Sequence, residues 1–549
     1  MKQNISFKNN LINKIKKHKN FYFILQIINA YLLKYFDINF SKIFIRKKAQ
    51  VSNKVLFATG VGTEVTAMKF ETNLSNFLKV NNFSSSDFFI CDSSMQACQY
   101  FKYNTHFDDE YWLNHDFNLK KKSCSTCYMP AKLALKRLGQ VHTIKDFLNL
   151  DEHELNKINS SSFEEKKKYI YRKINVGEQA LAGTLRYLCM GTLIENEENH
   201  NLLKKYLISA VIFCNAFENF LLKNSYQAVI CNHGIYVPHG ITVEVCKKLK
   251  IPIFVWNLSY RANTFMISKG DTYHRTLLIN NDYLNINFDE AKKLVIKNYL
   301  NSRINGKNDW LSFQKNDNKL KNIFQEMNIN RSDFDFSFTM VTNVIWDAQI
   351  HFKDNIFEKM SDWIVETVNY FIKFPKKILF IRTHPAEMRG VLPSRETVKQ
   401  ILDKNFTKLP DNIIFFDWDD EISSYDCAYN TDVTLIYGTK MGVELSAIGK
   451  PVVVVGDAWV KNKGFVFQPK DKKEYFDLLD DFKSLKMTKD QKDKALKFAY
   501  WYFFENSVEV TSLVHKKSLY PPYRLPLINQ INKLKKDKGL KIFKDIIFG

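Results

Sequence analysis

No hydrophobic run in the 549 residues is long enough to read as a membrane span. The best candidate, FYFILQIINAYLLKYF (Phe21–Phe36), holds Gln26, Asn29 and Lys34 and falls short of the roughly 20 apolar residues a span takes. It also follows the basic start too late to serve as an export signal. The reading is a packed amphipathic helix, with an interfacial one as the alternative, and the expected compartment is the cytoplasm. A secreted disulfide framework is missing too, because nine cysteines are an odd number without its spacing. Solenoid repeats are absent. No recognisable nucleic-acid module accompanies the charge, so nucleic acid is not an expected partner.

Acidic residues are in deficit: 58 Asp and Glu face 80 Lys and Arg, a formal charge of +22. The first fifty residues carry about eleven of the bases against one acid, and the tail INKLKKDKGLKIFKDIIF is similarly basic. Such charge favours anionic partners, among them nucleotides, acidic glycans and membrane surfaces. A hydrophobic fraction of 45% with 25% charged residues is that of a globular chain, and its length calls for two or three domains.

Cys189, Cys214, Cys231, Cys246 and Cys427 sit in apolar contexts and read as core. Cys91, Cys98, Cys124 and Cys127 cluster in sequence, and CSTC has zinc-knuckle spacing, but the other pair is not CxxC. They are a weak structural metal candidate, and reduced thiols are the expectation.

The remaining pattern alternates strands with helices. KVLFATG (Lys54–Gly60), DFFICD (Asp87–Asp92), QAVICNHG (Gln227–Gly234) and IPIFVWN (Ile251–Asn257) read as strands of one α/β domain. Phe163 to Leu222 reads as largely helical. A polar helical stretch with LNSRINGKND separates this from a second series. FSFTMVTN, KILFIRTHP, NIIFFD and LIYGTKMGVELSAIGKPVVVVGDA make up that series. The expected division is a basic helical leader over 1–50, an α/β domain over 51–275 and a helical connection over 276–330. A second α/β domain over 331–480 and C-terminal helices with a basic tail over 481–549 follow. The fold class is α/β, with two doubly wound sheets facing a cleft.

Ligands of open parallel sheets bind beyond the carboxyl ends of the strands, where several polar groups fall. Tyr437, Gly438, Thr439 and Lys440 turn from a strand into a helix whose free amides suit an anion. Glu444 lies about one and a half turns on, a reach suited to a ribose diol. Arg382 and His384 in IRTHPAEMRG can donate to phosphate oxygens. ICNHGIYVPHG brings His233 and His239, and SYRANTFMISKGDTYHR brings Tyr260, Arg261, Asp271 and His274. Imidazoles and a carboxylate are natural general bases for a hydroxyl. TNVIWDAQIH adds Asn343, Asp347 and Gln349.

Taken together, HGIYVPHG, WN…YR…F…GDTYH, TN…WDAQ…H, R-x-HPAE-x-RG and YGTK-x-GVE…GKPV resemble bacterial capsule and surface polysaccharide synthesis proteins. These are GT-B-fold glycosyltransferases broadly related to Kdo-transferring capsule enzymes. The resemblance extends from about Lys54 to Leu479. It implies two Rossmann-like domains, the N-terminal one for the acceptor and the C-terminal one for a nucleotide-sugar. It gives Arg382, His384, Tyr437, Gly438, Thr439, Lys440, Glu444 and Asn343 to the donor, with His384, Gly438 and Thr439 on its phosphate and Glu444 near its ribose or base. Tyr260, Arg261, Asp347 and Gln349 fall to the acceptor side. The base is expected to be His239 or Asp271, with His233 and His274 behind them. No cofactor or catalytic metal is implied, and the acceptor would be a glycan or lipid-linked glycan, with the basic ends near an anionic membrane. One departure stands out: Tyr437-Gly438-Thr439 replaces the Gln-Gly-Ser typical of Kdo transfer, which leaves the donor sugar open. A nucleotide-sugar epimerase and a non-catalytic assembly protein are the competing expectations.

Overall fold

A computed structural model describes residues 53–100 (except 63), 116–306, 308–310, 320–348, 351–513 (except 391) and 530–549, with isolated positions 24, 28, 516, 517, 523, 524 and 528. The expectations for the 1–50 leader, for Phe21–Phe36 beyond two of its positions, and for Gln349 lie outside the described residues.

The chain divides into two compact units, one of Met1–Gly183, Glu195–Trp256 and Val510–Gly549, the other of Thr184–Ile194 and Asn257–Glu509. The first unit opens with β1 (Lys54–Gly60), a continuous apolar run buried from Val55 onward, as a parallel strand covered on both faces must be. Gly60 ends it at φ +78°, and a Cβ there would lie 3.0 Å from Pro238. The Val65–Val80 helix leads to β2 (Ser85–Ile90), and the Asp116–Leu135 helix to β3 (Val141–Thr143). A small antiparallel pair, β4 (Ile170–Tyr171) and β5 (Ile174–Asn175), precedes the Val176–Leu188 and Glu197–Lys223 helices. Then come β6 (Ala228–Asn232), the His239–Leu249 helix and β7 (Ile253–Leu258). The order is β3-β2-β1-β6-β7, all parallel, so the winding reverses beside β1.

Among the described residues only the Glu197–Lys223 helix is long and apolar enough to cross a membrane, and 78% of its apolar window is buried inside the fold. It is a core helix. Phe213, Phe217 and Phe220 on it meet Phe89 of β2, with ring centroids 5.0 to 5.7 Å apart.

The second unit begins with β8 (Thr264–Lys269). Its parallel sheet comprises β9 (Phe336–Val341), β10 (Lys377–Arg382), β11 (Ile413–Phe416), β12 (Val433–Ile436) and β13 (Val452–Val454). The order β11-β10-β9-β12-β13 repeats the winding of the first unit, with the reversal beside β9. A short β14 (Val508–Glu509) pairs antiparallel with β8. The α/β class and the two Rossmann-like units expected from sequence are therefore both present.

The boundaries differ from the sequence reading. Within the stretch expected as a 276–330 helical connection, the Glu290–Ile304 helix buries Ile296, Tyr299 and Leu300 in the same core as Val341, Ile436, Val443 and Val452. The expected 481–549 terminal piece is split, because residues from Val510 onward return to the first unit. There the Phe543 ring lies 5.1 Å from Phe70 of the Val65–Val80 helix, and Ile528 N donates to Asn73 Oδ1 at 2.9 Å. Burying one such phenyl contributes roughly 1.5–3 kcal/mol. The five cysteines read as core are all buried.

Candidate functional site

In the second unit the carboxyl ends of β9, β10 and β12 converge where the strand order reverses. β9 delivers Thr342 and Asn343, β10 delivers His384, and β12 delivers Gly438, Thr439 and Lys440. Backbone and side chains tie the three ends together. His384 N donates to Thr342 Oγ1 at 3.3 Å, and Gly438 N donates to Asn343 Oδ1 at 3.2 Å. A Cβ on Gly438 would meet only Asn343 Nδ2, at 3.5 Å, so the backbone there stays open to close approach. Thr439 Oγ1 accepts from Met441 N at 3.3 Å.

His384 accepts the Ala386 amide at Nδ1, 3.0 Å away, which puts the proton of the neutral ring on Nε2. Burial holds its pKa down at about 4, aided by the neighbouring Lys440 and Arg382 charges. The residue is therefore a neutral Nε2–H donor at physiological pH. Lys440 supplies the positive charge. Its ammonium lies 2.8 Å from Glu444 Oε1 and 4.3 Å from the centroid of the Tyr260 ring. Burial, followed by the Arg303 charge, lowers its pKa against the pull of Glu444.

Three residues given to the donor face elsewhere. Tyr437 is a core residue: its hydroxyl donates to Phe357 O at 2.7 Å and its ring packs 5.8 Å from Trp363. Arg382 is buried, and its guanidinium donates to the backbone carbonyls of Phe416, which ends β11, and of Asp417 and Asp420 beyond it. It braces that loop instead of presenting itself to an oxyanion. Glu444 is 3% exposed and fully engaged. Oε2 accepts from Arg303 Nε at 2.9 Å and from the Tyr425 hydroxyl, while Oε1 takes Lys440. Despite burial, the Arg303 and Lys440 charges hold its pKa down at about 2. A ribose diol could reach this carboxylate only by displacing a partner.

The acceptor-side residues are likewise placed. Arg261 bonds Phe503 O and Glu509, with its guanidinium 4.8 Å from the Phe504 ring. Asp347 is exposed, 3.5 Å from Arg186. Tyr260 lies beneath Lys440, as given above.

The four candidates for the base come from both units. His239 and His233 belong to the first unit, Asp271 and His274 to the second. His239 is fully buried in the first turn of its helix, with Nδ1 2.8 Å from Gln99 Nε2. His233, at φ +66°, follows β6 and stacks on Tyr236 at 5.7 Å. Asp271 is ion-paired with Arg275 at 3.1 Å. His274 is buried 4.1 Å from the Tyr273 ring, and desolvation carries its pKa to about 3.

Cys91, Cys98, Cys124 and Cys127 come within electrostatic reach of one another in the first unit, and Gly62 N donates to Cys127 Sγ at 3.2 Å. Among the described residues, no group of three or more His, Cys, Asp or Glu side chains is arranged to hold a metal ion.

Sequence reasoning passed over Arg303, Asp309, Tyr299 and Tyr425, which surround Glu444. It also passed over Glu71, buried behind the end of β1. Glu71 accepts from Trp256 Nε1 at 3.0 Å and from the Thr59 hydroxyl, and burial raises its pKa to about 7.

No protein-family profile matches the chain, and no curated protein does. Among solved structures, KpsC of Thermosulfurimonas dismutans, a beta Kdo 2,4 transferase, is similar over 56% of this chain and 87% of its own. The identity is 11% and the TM-score 0.32. The beta Kdo 2,7 transferase KpsC of the same organism is similar over 58% and 88%, at 12% identity and a TM-score of 0.30. The S. aureus MnaA structure with UDP is similar over 82% and 92%, at 11% identity and a TM-score of 0.26.

Proposed function

We propose that the chain is a glycosyltransferase that moves a sugar from a nucleotide-activated donor to a capsule or other surface glycan, with the donor held by the second unit. The observation that carries this reading is the convergence of Thr342, Asn343, His384, Gly438, Thr439 and Lys440 on the carboxyl ends of β9, β10 and β12, where the strand order reverses. In this reading the donor phosphate lies against the open Gly438 backbone. The His384 Nε2–H, the Thr439 hydroxyl and the Lys440 ammonium offset the charge that grows on the leaving phosphate. A neutral imidazole donor serves this purpose across the whole physiological pH range.

Thermal stabilisation by CMP-, UDP-, GDP- and dTDP-sugars tests the reading. A ligand at 100 times its dissociation constant adds about 2.7 kcal/mol. The expected result is a shift with one nucleotide class that is lost in His384→Ala. No shift with any class, or an undiminished one in that variant, overturns the assignment.

A further inference from the structure

Lys440 belongs to a closed set of buried charges drawn from three separate stretches of the second unit. Arg303, at the end of the Glu290–Ile304 helix, is 8% exposed. Its guanidinium reaches two carboxylates at once: Nε donates to Glu444 Oε2 at 2.9 Å, and Nη1 to Asp309. Nη1 also reaches the Tyr299 hydroxyl at 3.0 Å, and that hydroxyl donates to Asp309 at 2.6 Å. The far side of Lys440 is pinned by the same segment, since Trp310 N donates to Tyr260 O at 3.1 Å and Tyr260 carries the ring beneath the ammonium.

Glu444 is therefore oriented from one oxygen and used from the other. With Oε2 fixed by Arg303, Oε1 can point only where Lys440 sits. A lysine stem has four rotatable bonds and no preferred direction of its own, so its ammonium is localised by whatever holds its counter-ion. An arginine suits position 303 because its planar fork addresses Glu444 and Asp309 from two different nitrogens in one fixed geometry, whereas the donors of an ammonium radiate from a single point.

We propose that Arg303 is a positioning residue for the anion-binding end of the second unit, holding Lys440 in place through the Glu444 carboxylate and the 308–310 segment. The inference rests on the donor-site reading above for its functional meaning, but its structural half stands without it. Two readouts on the full chain separate them.

The first is hydrogen exchange by mass spectrometry on the free protein. In Arg303→Lys, amides 438–444 are expected to exchange about tenfold faster, as local opening does when its anchor is weakened, while β10 amides keep their protection. Unchanged exchange at 438–444 overturns the proposal. So does equal acceleration across the whole unit, which would mark a merely structural role.

The second is calorimetric binding of UDP and CMP to wild type, Arg303→Lys, Lys440→Met and the double variant. The expected result is a roughly tenfold loss in Arg303→Lys that disappears in the Lys440→Met background, the coupling of residues in one network. Additive losses overturn the proposal. If Lys440→Met binds both nucleotides as wild type does, the assignment of Lys440 to the donor fails, and the exchange experiment alone decides the positioning role. Where Arg303→Lys is poorly folded, Tyr299→Phe, which removes one hydroxyl from the Arg303–Asp309 pair, replaces it in the exchange measurement, with a smaller acceleration confined to the same amides as the expected outcome.

Discussion

Replacing Glu444 by Gln removes the one carboxylate shared by Arg303 and Lys440 while keeping its shape. The cost can be worked from the protonation equilibrium. A carboxyl whose pKa falls from 4.5 to about 2 on folding contributes roughly 3 kcal/mol at neutral pH. Breaking a buried pair by deleting one partner costs a similar 3–5 kcal/mol, because the surviving charge is left uncompensated. Here two cations survive, and Asp309 remains for only one of them. Urea unfolding followed by tryptophan fluorescence should therefore show Glu444→Gln about 3–5 kcal/mol less stable at pH 7. The sign of the pH dependence follows from the depressed pKa. The stabilisation is fully present above pH 4.5 and is lost as the pH falls through 2, so the gap between wild type and variant should shrink to roughly half by pH 3. Adding Arg303→Met to the variant should recover part of the loss, since one orphaned charge is then removed. A loss below about 1 kcal/mol at pH 7, the scale of exposed ion pairs, or a gap that does not change between pH 7 and 3, refutes the reasoning.

Three further outcomes are expected. Arg382→Met should lower stability by roughly 1–3 kcal/mol yet leave nucleotide affinity intact, because its guanidinium bonds the carbonyls at the end of β11 and beyond it; calorimetry showing a tenfold affinity loss at unchanged stability would reinstate it as a donor ligand. His274 is held neutral to about pH 3, so below pH 6.5 the unfolded chain takes up a proton that the folded one does not. Its contribution to stability is lost as the pH falls, and His274→Phe should flatten the acid limb by about 1.4 kcal/mol per pH unit between 6 and 4, read from urea midpoints. Burial pushes the Cys91 thiol up to about 12, so iodoacetamide at pH 8 should leave it unmodified in the native protein and react with it in urea, as peptide mass mapping will report.

The strands were readily legible. KVLFATG matches β1 in full, and FSFTMV and KILFIR begin where β9 and β10 do, because parallel strands buried on both faces appear as near-continuous apolar runs. Their loops carried recognisable chemistry for the same reason: a polar group directly after such a run must lie at the strand's carboxyl end. What sequence could not give was direction. Tyr437 and Gly438 are neighbours in the chain, yet one hydroxyl turns into the core toward Phe357 while the other residue opens to the outside. Arg382 and His384 divide in the same way. Nor could spacing reveal that Arg303 meets Glu444, since 141 residues separate them, and a polar helix followed by an Asn-rich stretch has the composition of a linker. β8, TFMISK, was missed because its short run lies between Tyr260 and Arg261 on one side and Asp271 and His274 on the other, the residues that drew attention as candidate ligands.

The path of the chain also sets an order for biosynthesis. The Val65–Val80 helix is translated before the second unit, yet part of its covering comes from the Ile528 backbone and the Phe543 ring, synthesised more than 400 residues later. The second unit, drawn mostly from the contiguous stretch Asn257–Glu509, has all but its own partners' loops in hand well before that. On the ribosome, then, the first unit is completed only after the second has been made, and the part of the helix face that its late segment covers must be kept from premature association until that segment arrives.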